Sequence, residues 1–367
     1  MNELQKYFIW EFVEDYKDGF MSRRDMLKRV VYLTGGVASA ASVLSLLGCG
    51  GSAAPASSAA PAAASSGAPA PAGSASAPGT SAASAPAKPS AAASSGASAS
   101  AKPAGSGSAA ASAKPAAGAS ASAGSRSPVS VAANDPAIDA RDISFPGDGV
   151  TLLGYEARPK GAAGPLPLVL VVTMNVGLED HIRDVTRRYA KEGYLAMSLD
   201  TLSRQGGTAK VDRAAIGAAM SQTGTEKYVG DFKSAIDYYS KQAIADVKRI
   251  GMTGFCIGGT ITWRAAELIP QLKAAAPFYG SVPPLDAAKD IKAAMLGVYS
   301  ADPQDNANKD RDQLDAALKA ANVVHQFNVY PGTQHAFHDD TGARYNQEQA
   351  LAAYRDTLAW FAKYVKG

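Results

Sequence analysis

Cysteine is nearly absent from this 367-residue chain: Cys49 and Cys256 are the only two, and their contexts differ too much to argue for a pair. No CxxC and no His/Cys cluster occurs, which excludes structural zinc, iron–sulfur and dithiol redox chemistry, and no cofactor or metal is expected. A surplus of charge of either sign is missing too. The chain carries 36 basic and 33 acidic residues, and beyond residue 135 there are 26 of each. A basic footprint for nucleic acid is therefore absent, as is a polyacidic tail. Long hydrophobic runs are scarce: the segment from Val30 to Leu47 would just span hydrocarbon, but it is diluted by Gly, Ala and Ser.

What is present falls into three parts. From Gly50 to about Gly124 nearly every residue is Ala, Ser, Pro or Gly, broken by Thr80, Lys88, Lys102 and Lys114. Such a stretch cannot bury enough apolar area to offset the entropy of ordering it, so residues 50–135 read as a disordered linker. As a flexible tether it would span about 50 Å. The remaining block, 136–367, is a comfortable size for one domain.

The N-terminal part, 1–49, reads as an address. Arg23-Arg24 before a weakly apolar run is similar to a twin-arginine export signal, and Leu46-Leu47-Gly48-Cys49 is similar to a lipobox with Cys49 as the lipidated residue. The expectation is an extracytoplasmic, membrane-anchored lipoprotein that meets the membrane only through its lipid and whose other partner is the export machinery; an uncleaved transmembrane anchor is the alternative. Residues 1–20 read as a leading extension compatible with a helix, with no mechanism attached.

In the block, Ile143–Phe145 and Val150–Arg158 flank Asp148-Gly149 as a hairpin. Strand-like runs at Leu168–Thr173, Tyr194–Leu199, Arg249–Phe255, Ala274–Tyr279, Ala294–Ser300 and Val323–Tyr330 alternate with helical periodicities at Leu178–Glu192, Glu226–Lys241, after Cys256, at Lys309–Ala321 and at Tyr345–Lys366. Alternation over this length implies a mostly parallel sheet with helices on both faces, an α/β-hydrolase-like plan.

Gly254-Phe255-Cys256-Ile257-Gly258-Gly259 sits between a strand and a helix. That is the spacing of a nucleophile elbow, where flanking positions must lack side chains so that the turn can lift the nucleophile off the sheet. A helix start behind the sulfur would lower the thiol pKa. Downstream, Asp302 follows a strand end and His335 follows the last strand, the chain order of a nucleophile–acid–histidine triad. Asp302 is the preferred acid because it is nearer the strand end; Asp305 is the alternative. His338 is a lesser base candidate, and His181 and His325 read as structural or solvated. The oxyanion would be held by the backbone N–H groups of Ile257 and Asn175. Tyr279, Trp263 and Arg204 could equally shape a pocket, pack or lie at the surface.

From Ile143 to Val365 the block resembles the dienelactone hydrolase (carboxymethylenebutenolidase) family, in particular exported members. The matching strings include Gly177-Leu178, Asp200-Thr201-Leu202, Gly206-Gly207, Gly254-Phe255-Cys256, Gly258-Gly259, Pro277-Phe278-Tyr279-Gly280, Tyr330-Pro331-Gly332, His335-Ala336-Phe337, Arg344-Tyr345 and Thr357–Phe361. The resemblance implies a cofactor-free Cys-Asp-His triad that opens esters or lactones, mapped to Cys256, Asp302 and His335 with a one-residue gap near Asp302.

Two departures stand out. The family's glutamate after the first core strand, which helps form the thiolate, is replaced by Met174. The family's carboxylate-binding arginine, four positions after the histidine, falls on Asp339. The expected substrate is therefore a small neutral or cationic ester or lactone rather than a dicarboxylate. A catalytically impaired binding protein of the cell envelope, or an acyl transferase on the same elbow, are the competing readings.

Overall fold

In the computed structural model of the chain, residues 1–46 and 127–367 are described. Cys49 and the linker as far as residue 126 lie outside them. Three helices come first: α1 (Glu3–Lys17), α2 (Arg23–Thr34) and α3 (Val37–Leu46). The block then runs β1 (Ile138–Pro146), β2 (Thr151–Pro159), β3 (Leu166–Val172), α4 (Asp180–Lys191), β4 (Leu195–Leu199), α5 (Ile216–Thr223), α6 (Thr225–Ser240) and β5 (Ala245–Phe255). It continues through α7 (Ile257–Leu268), β6 (Leu272–Phe278), β7 (Ala294–Ser300), α8 (Arg311–Ala320), β8 (His325–Tyr330) and α9 (Gln347–Phe361).

The strands form one eight-stranded sheet of order β1-β2-β4-β3-β5-β6-β7-β8. β1 and β2 make the expected antiparallel hairpin, β2 joins β4 antiparallel, and every pairing from β4 to β8 is parallel. The apolar run of β3 explains its central place. Leu168 through Val172 have no solvent exposure, as a strand covered on both faces requires. On α4, Ile182, Val185 and Tyr189 are the helix-spaced residues that face inward. This is an α/β-hydrolase fold.

The packed chain begins earlier than Pro136. Asp184 and Arg187 of α4 capture the backbone of residue 131: the Val131 N–H donates to Asp184 Oδ1 at 2.7 Å, and Arg187 Nε donates to the Val131 carbonyl at 2.5 Å. Residues 127–135, expected in the linker, therefore belong to the block. Val129 and Val131 supply the apolar side chains that the linker otherwise lacks.

The larger departure is at the N-terminus. α1 opens with a reciprocal cap, in which Asn2 Oδ1 accepts from the Gln5 N–H and Gln5 Oε1 accepts from the Asn2 N–H, both at 2.8 Å. Leu4, Phe8 and Phe12, four residues apart on one face, are buried, as are Tyr7, Ile9 and Val13. Gly217 of α5 makes room for them: a Cβ there would stand 3.0 Å from Phe12 and 3.3 Å from Phe8. Residues 1–20 are thus not a bare extension but a helix docked on the block. Arg23 and Arg24 lie exposed in the first turn of α2, which Ser22 caps. Among the described residues, no helix is long and apolar enough to cross a membrane.

Candidate active site

β5 runs straight into the elbow. Cys256 has φ 62° and ψ −125°, a backbone conformation that a side chain rarely tolerates. The surrounding glycines are required by contact distance. A Cβ at Gly254 would lie 2.3 Å from the Gly258 carbonyl oxygen, at Gly258 2.5 Å from that of Thr173, and at Gly259 2.4 Å from that of Phe278. The turn is pinned by the Cys256 N–H donating to the Phe278 carbonyl at 3.1 Å and the Gly259 N–H donating to the Cys256 carbonyl at 2.8 Å.

The loop after β8 delivers His335, and one of its ring nitrogens lies within 4.8 Å of the Cys256 sulfur. Its Nδ1 meets Asp305 Oδ1 at 3.0 Å. Asp305 is buried and held on its other edges by Ser300 Oγ at 2.6 Å and the Ala307 N–H at 3.0 Å. The preferred acid, Asp302, is corrected by this geometry. Its Oδ1 accepts from the Gln304 N–H at 2.8 Å and its carbonyl from the Asp305 N–H at 3.1 Å. Asp302 thus builds a turn, and Asp305, one turn further on, is the carboxylate aimed at the imidazole.

α1 brings in three side chains that sequence reasoning did not assign. Glu11 places both carboxylate oxygens 3.2 Å from Cys256 Sγ and Oε1 3.3 Å from His335 Nε2. The Tyr7 hydroxyl donates to Sγ at 3.1 Å. Trp10 packs edge-on against the His335 ring, centroids 5.9 Å apart. Sulfur, imidazole and carboxylate are all buried, Cys256 being only 2% exposed.

These contacts set the charges. Burial first, then the charge of Glu11, pushes the Cys256 thiol up to about 11, against the expected lowering at a helix start. Burial disfavours the His335 imidazolium, but the charge and hydrogen bond of Asp305, with Glu11, hold it well above the usual histidine range. Burial likewise works against the Glu11 carboxylate, yet His335 keeps its pKa below the ordinary value. These directions favour the neutral thiol on Cys256 and the charged ring on His335, which has a carboxylate on each side.

Ile257 is the first residue of α7, and Asn175 lies in the turn closed by the Gly177 N–H on the Met174 carbonyl at 3.2 Å. The Asn175 side chain donates to Glu11 Oε2 at 3.1 Å. Met174 is buried in the core cluster. His338 stacks on Phe255, centroids 4.8 Å apart, and burial holds its pKa well below the usual histidine range; His335, not His338, is the histidine beside Asp305. His181 is a structural residue, its Nδ1 2.6 Å from Asp340, and His325 opens β8 against Asp315. Tyr279 packs 4.8 Å from the His335 ring, Trp263 is core, and Arg204 is paired with Asp231. Glu11, Cys256 and His335 are also close enough to share a metal ion, as are His181, Asp339 and Asp340.

Comparisons with known proteins place the chain in a family. The dienelactone hydrolase family profile matches residues 152–365. A relative in Salmonella typhi, provisionally named a carboxymethylenebutenolidase, is 35% identical over 252 residues, which is 65% of this chain and 92% of the relative. One of the same name in Escherichia coli K12 is 36% identical over 248 residues, 64% of this chain and 90% of that one. The crystal structure of a provisionally named dienelactone hydrolase from Klebsiella pneumoniae superposes with a TM-score of 0.59 at 36% identity, covering 62% of this chain and all of that one. A dienelactone-hydrolase-like promiscuous phosphotriesterase from metagenomic libraries, 22% identical with a TM-score of 0.56, repeats the fold. The elbow, the histidine loop and these matches together make the chain a member of the dienelactone hydrolase family.

Proposed function

We propose that the chain hydrolyses carboxylic esters or lactones through a cysteine nucleophile, with Cys256, His335 and Asp305 as the triad. The observation that carries this reading is the Nδ1–Asp305 bond at 3.0 Å on an imidazole that stands beside the elbow sulfur. In turnover His335 Nε2 takes the thiol proton, and the sulfur adds to the substrate carbonyl carbon. The N–H groups of Ile257 and Asn175 receive the developing oxyanion. Collapse expels the alkoxide, which leaves with the proton from His335. A water activated by the same nitrogen then splits the thioester, releasing the acid and restoring the thiol. Asp305 fixes the tautomer throughout.

Neutral esters or lactones are the proposed substrates, because position 339 offers a carboxylate where the family's substrate-binding arginine would stand. Asp339 caps the Thr341 N–H at 3.0 Å. Kinetics on matched neutral and acidic esters test this, and a clear preference for the acidic one overturns it. The export and lipid anchor read from Arg23, Arg24 and Cys49 remain part of the proposal, tested by fractionation of cells and by mass spectrometry of the chain's N-terminus. Cys256→Ala is expected to abolish hydrolysis of an activated ester with the fold retained. Turnover that survives the substitution removes the Cys256 assignment, whereas absence of turnover in every form leaves the binding-protein reading.

A further inference from the structure

The chain's own first helix sets two side chains against the nucleophile, where a substrate would have to approach. An acyl carbon must approach to about 3–3.5 Å of the sulfur for attack. The Tyr7 hydroxyl already lies at 3.1 Å and both Glu11 oxygens at 3.2 Å. Glu11 also stands 3.3 Å from Nε2, the nitrogen that has to accept the thiol proton, and its other oxygen is held by Asn175 beside the proposed oxyanion position. A carboxylate is the group that ester hydrolysis releases, so Glu11 fills the site as a product would.

The docking is specific along the whole helix. Arg344 of the block donates to Asp15 Oδ1 and to Asp18 Oδ2, both at 2.8 Å, and stacks over Phe20. Asn2 Nδ2 donates to the Ser221 carbonyl at 3.0 Å at the other end. Phe8 and Phe12 sit where Gly217 leaves space.

We propose that α1 is an intramolecular inhibitor: it seats Glu11 as a product-like carboxylate over Cys256 and keeps the chain latent until the helix is displaced. The inhibition rests on the ester-hydrolase reading, whereas the occlusion of the sulfur does not. If processing ahead of Cys49 occurs, it removes α1 and opens the site. Turnover then requires the departure of a helix held by the Arg344 and His335 ion pairs, by the amides of Asn2 and Asn175, and by its buried apolar face.

Two full-length variants test this without touching the triad. Asp15→Asn with Asp18→Asn releases Arg344, and Gly217→Val pushes Phe8 and Phe12 off α5. Circular dichroism checks that each is folded. Alkylation of Cys256 by iodoacetamide tracks the open population, since closing is fast relative to the chemistry. It is expected to accelerate about tenfold in either variant as charge-assisted bonds or ring packing are lost, and p-nitrophenyl butyrate turnover is expected to rise with it. Faster alkylation with no turnover in any form supports the occlusion and overturns the hydrolase reading. Unchanged alkylation in both folded variants overturns the proposal. So does faster alkylation with turnover falling below that of the unaltered chain, because Glu11 would then be a working part of the site.

Discussion

Glu11 and Asp305 face the two nitrogens of one imidazole: Asp305 Oδ1 is 3.0 Å from Nδ1 of His335, and Glu11 Oε1 is 3.3 Å from Nε2. The first contact is what a triad needs. The second sets a carboxylate against the nitrogen from which proton transfer would start. Both carboxylates favour the charged ring.

The choice between the two candidate acids is directly measurable. Asp305→Asn leaves the ring its packing but takes away the charge that stabilises the imidazolium and fixes the tautomer. Loss of about 10³- to 10⁴-fold in kcat is expected. Asp302→Asn disturbs only a turn and should change kcat by less than about threefold, within the range of a surface substitution. Both belong in the Asp15→Asn, Asp18→Asn background, where the site is more open. A large loss at Asp302 with none at Asp305 would reverse the assignment.

Much of this site could be read along the chain because steric necessity is local. The glycines around Cys256 are dictated by carbonyl oxygens 2.3–2.5 Å from where a Cβ would be, and that demand writes itself into the spacing. Asp305 was harder. Nearness to the strand end favours Asp302, but Asp302 spends its carbonyl and one carboxylate oxygen on the turn that carries Asp305 inward. α1 was harder still. Its face of Leu4, Phe8 and Phe12 is visible as helical spacing, yet nothing local says that the face docks beside a sulfur 245 residues away. The export-like composition that follows it also drew the reading toward an address rather than a packed element. Residues 127–135 likewise resemble linker by composition and are held mainly through backbone contacts to α4.

Gly258→Ala should be structurally intolerable. The new methyl would press on the Thr173 carbonyl oxygen at 2.5 Å and the Val172 carbonyl oxygen at 2.8 Å, both backbone atoms of the sheet's central strand and its exit, which cannot rotate away. A loss of about 3 kcal/mol or more is expected, seen as a fall in Tm of about 6–12 °C in thermal unfolding. A variant with unaltered Tm would mean that the elbow is looser than drawn.

Arg188 bridges two buried carboxylates, donating to Asp184 Oδ2 at 2.5 Å and to Asp340 Oδ2 at 2.8 Å. Asp340 in turn holds His181. Arg188→Met strands both acids away from water, and a cost of about 3–5 kcal/mol is expected. Chemical denaturation should show the midpoint falling, while alkylation of Cys256 in the folded fraction stays at its original rate. A coupled change in alkylation would mean that this network also positions the α1 site.

The hold of α1 should weaken as pH rises from about 5 to 8. Glu14 of α1 is half-buried, and that burial, with the charges of Asp305 and Asp18 against those of His335 and Arg344, raises its pKa from 4.5 to about 7. An acid whose pKa is higher when docked than when free prefers the docked state in its protonated form, so its contribution declines as pH climbs through that window. Asp15, also raised by burial and by Glu11, acts in the same sense. His335, whose pKa is raised in the folded chain, contributes its pairing with Glu11 below that value and loses it above. The opposing groups, Glu11 and Asp305, have lowered pKa values and give way only in acid below the ordinary carboxylate range. Because Glu14 is partly open to solvent, its effect is screened and a change of severalfold, not hundreds, is expected. Hydrogen exchange of residues 3–17, corrected for the intrinsic pH dependence, should show opening more often at pH 8 than at pH 5. Glu14→Gln should flatten most of that slope, and a profile equally steep in the variant would place the titrating group elsewhere.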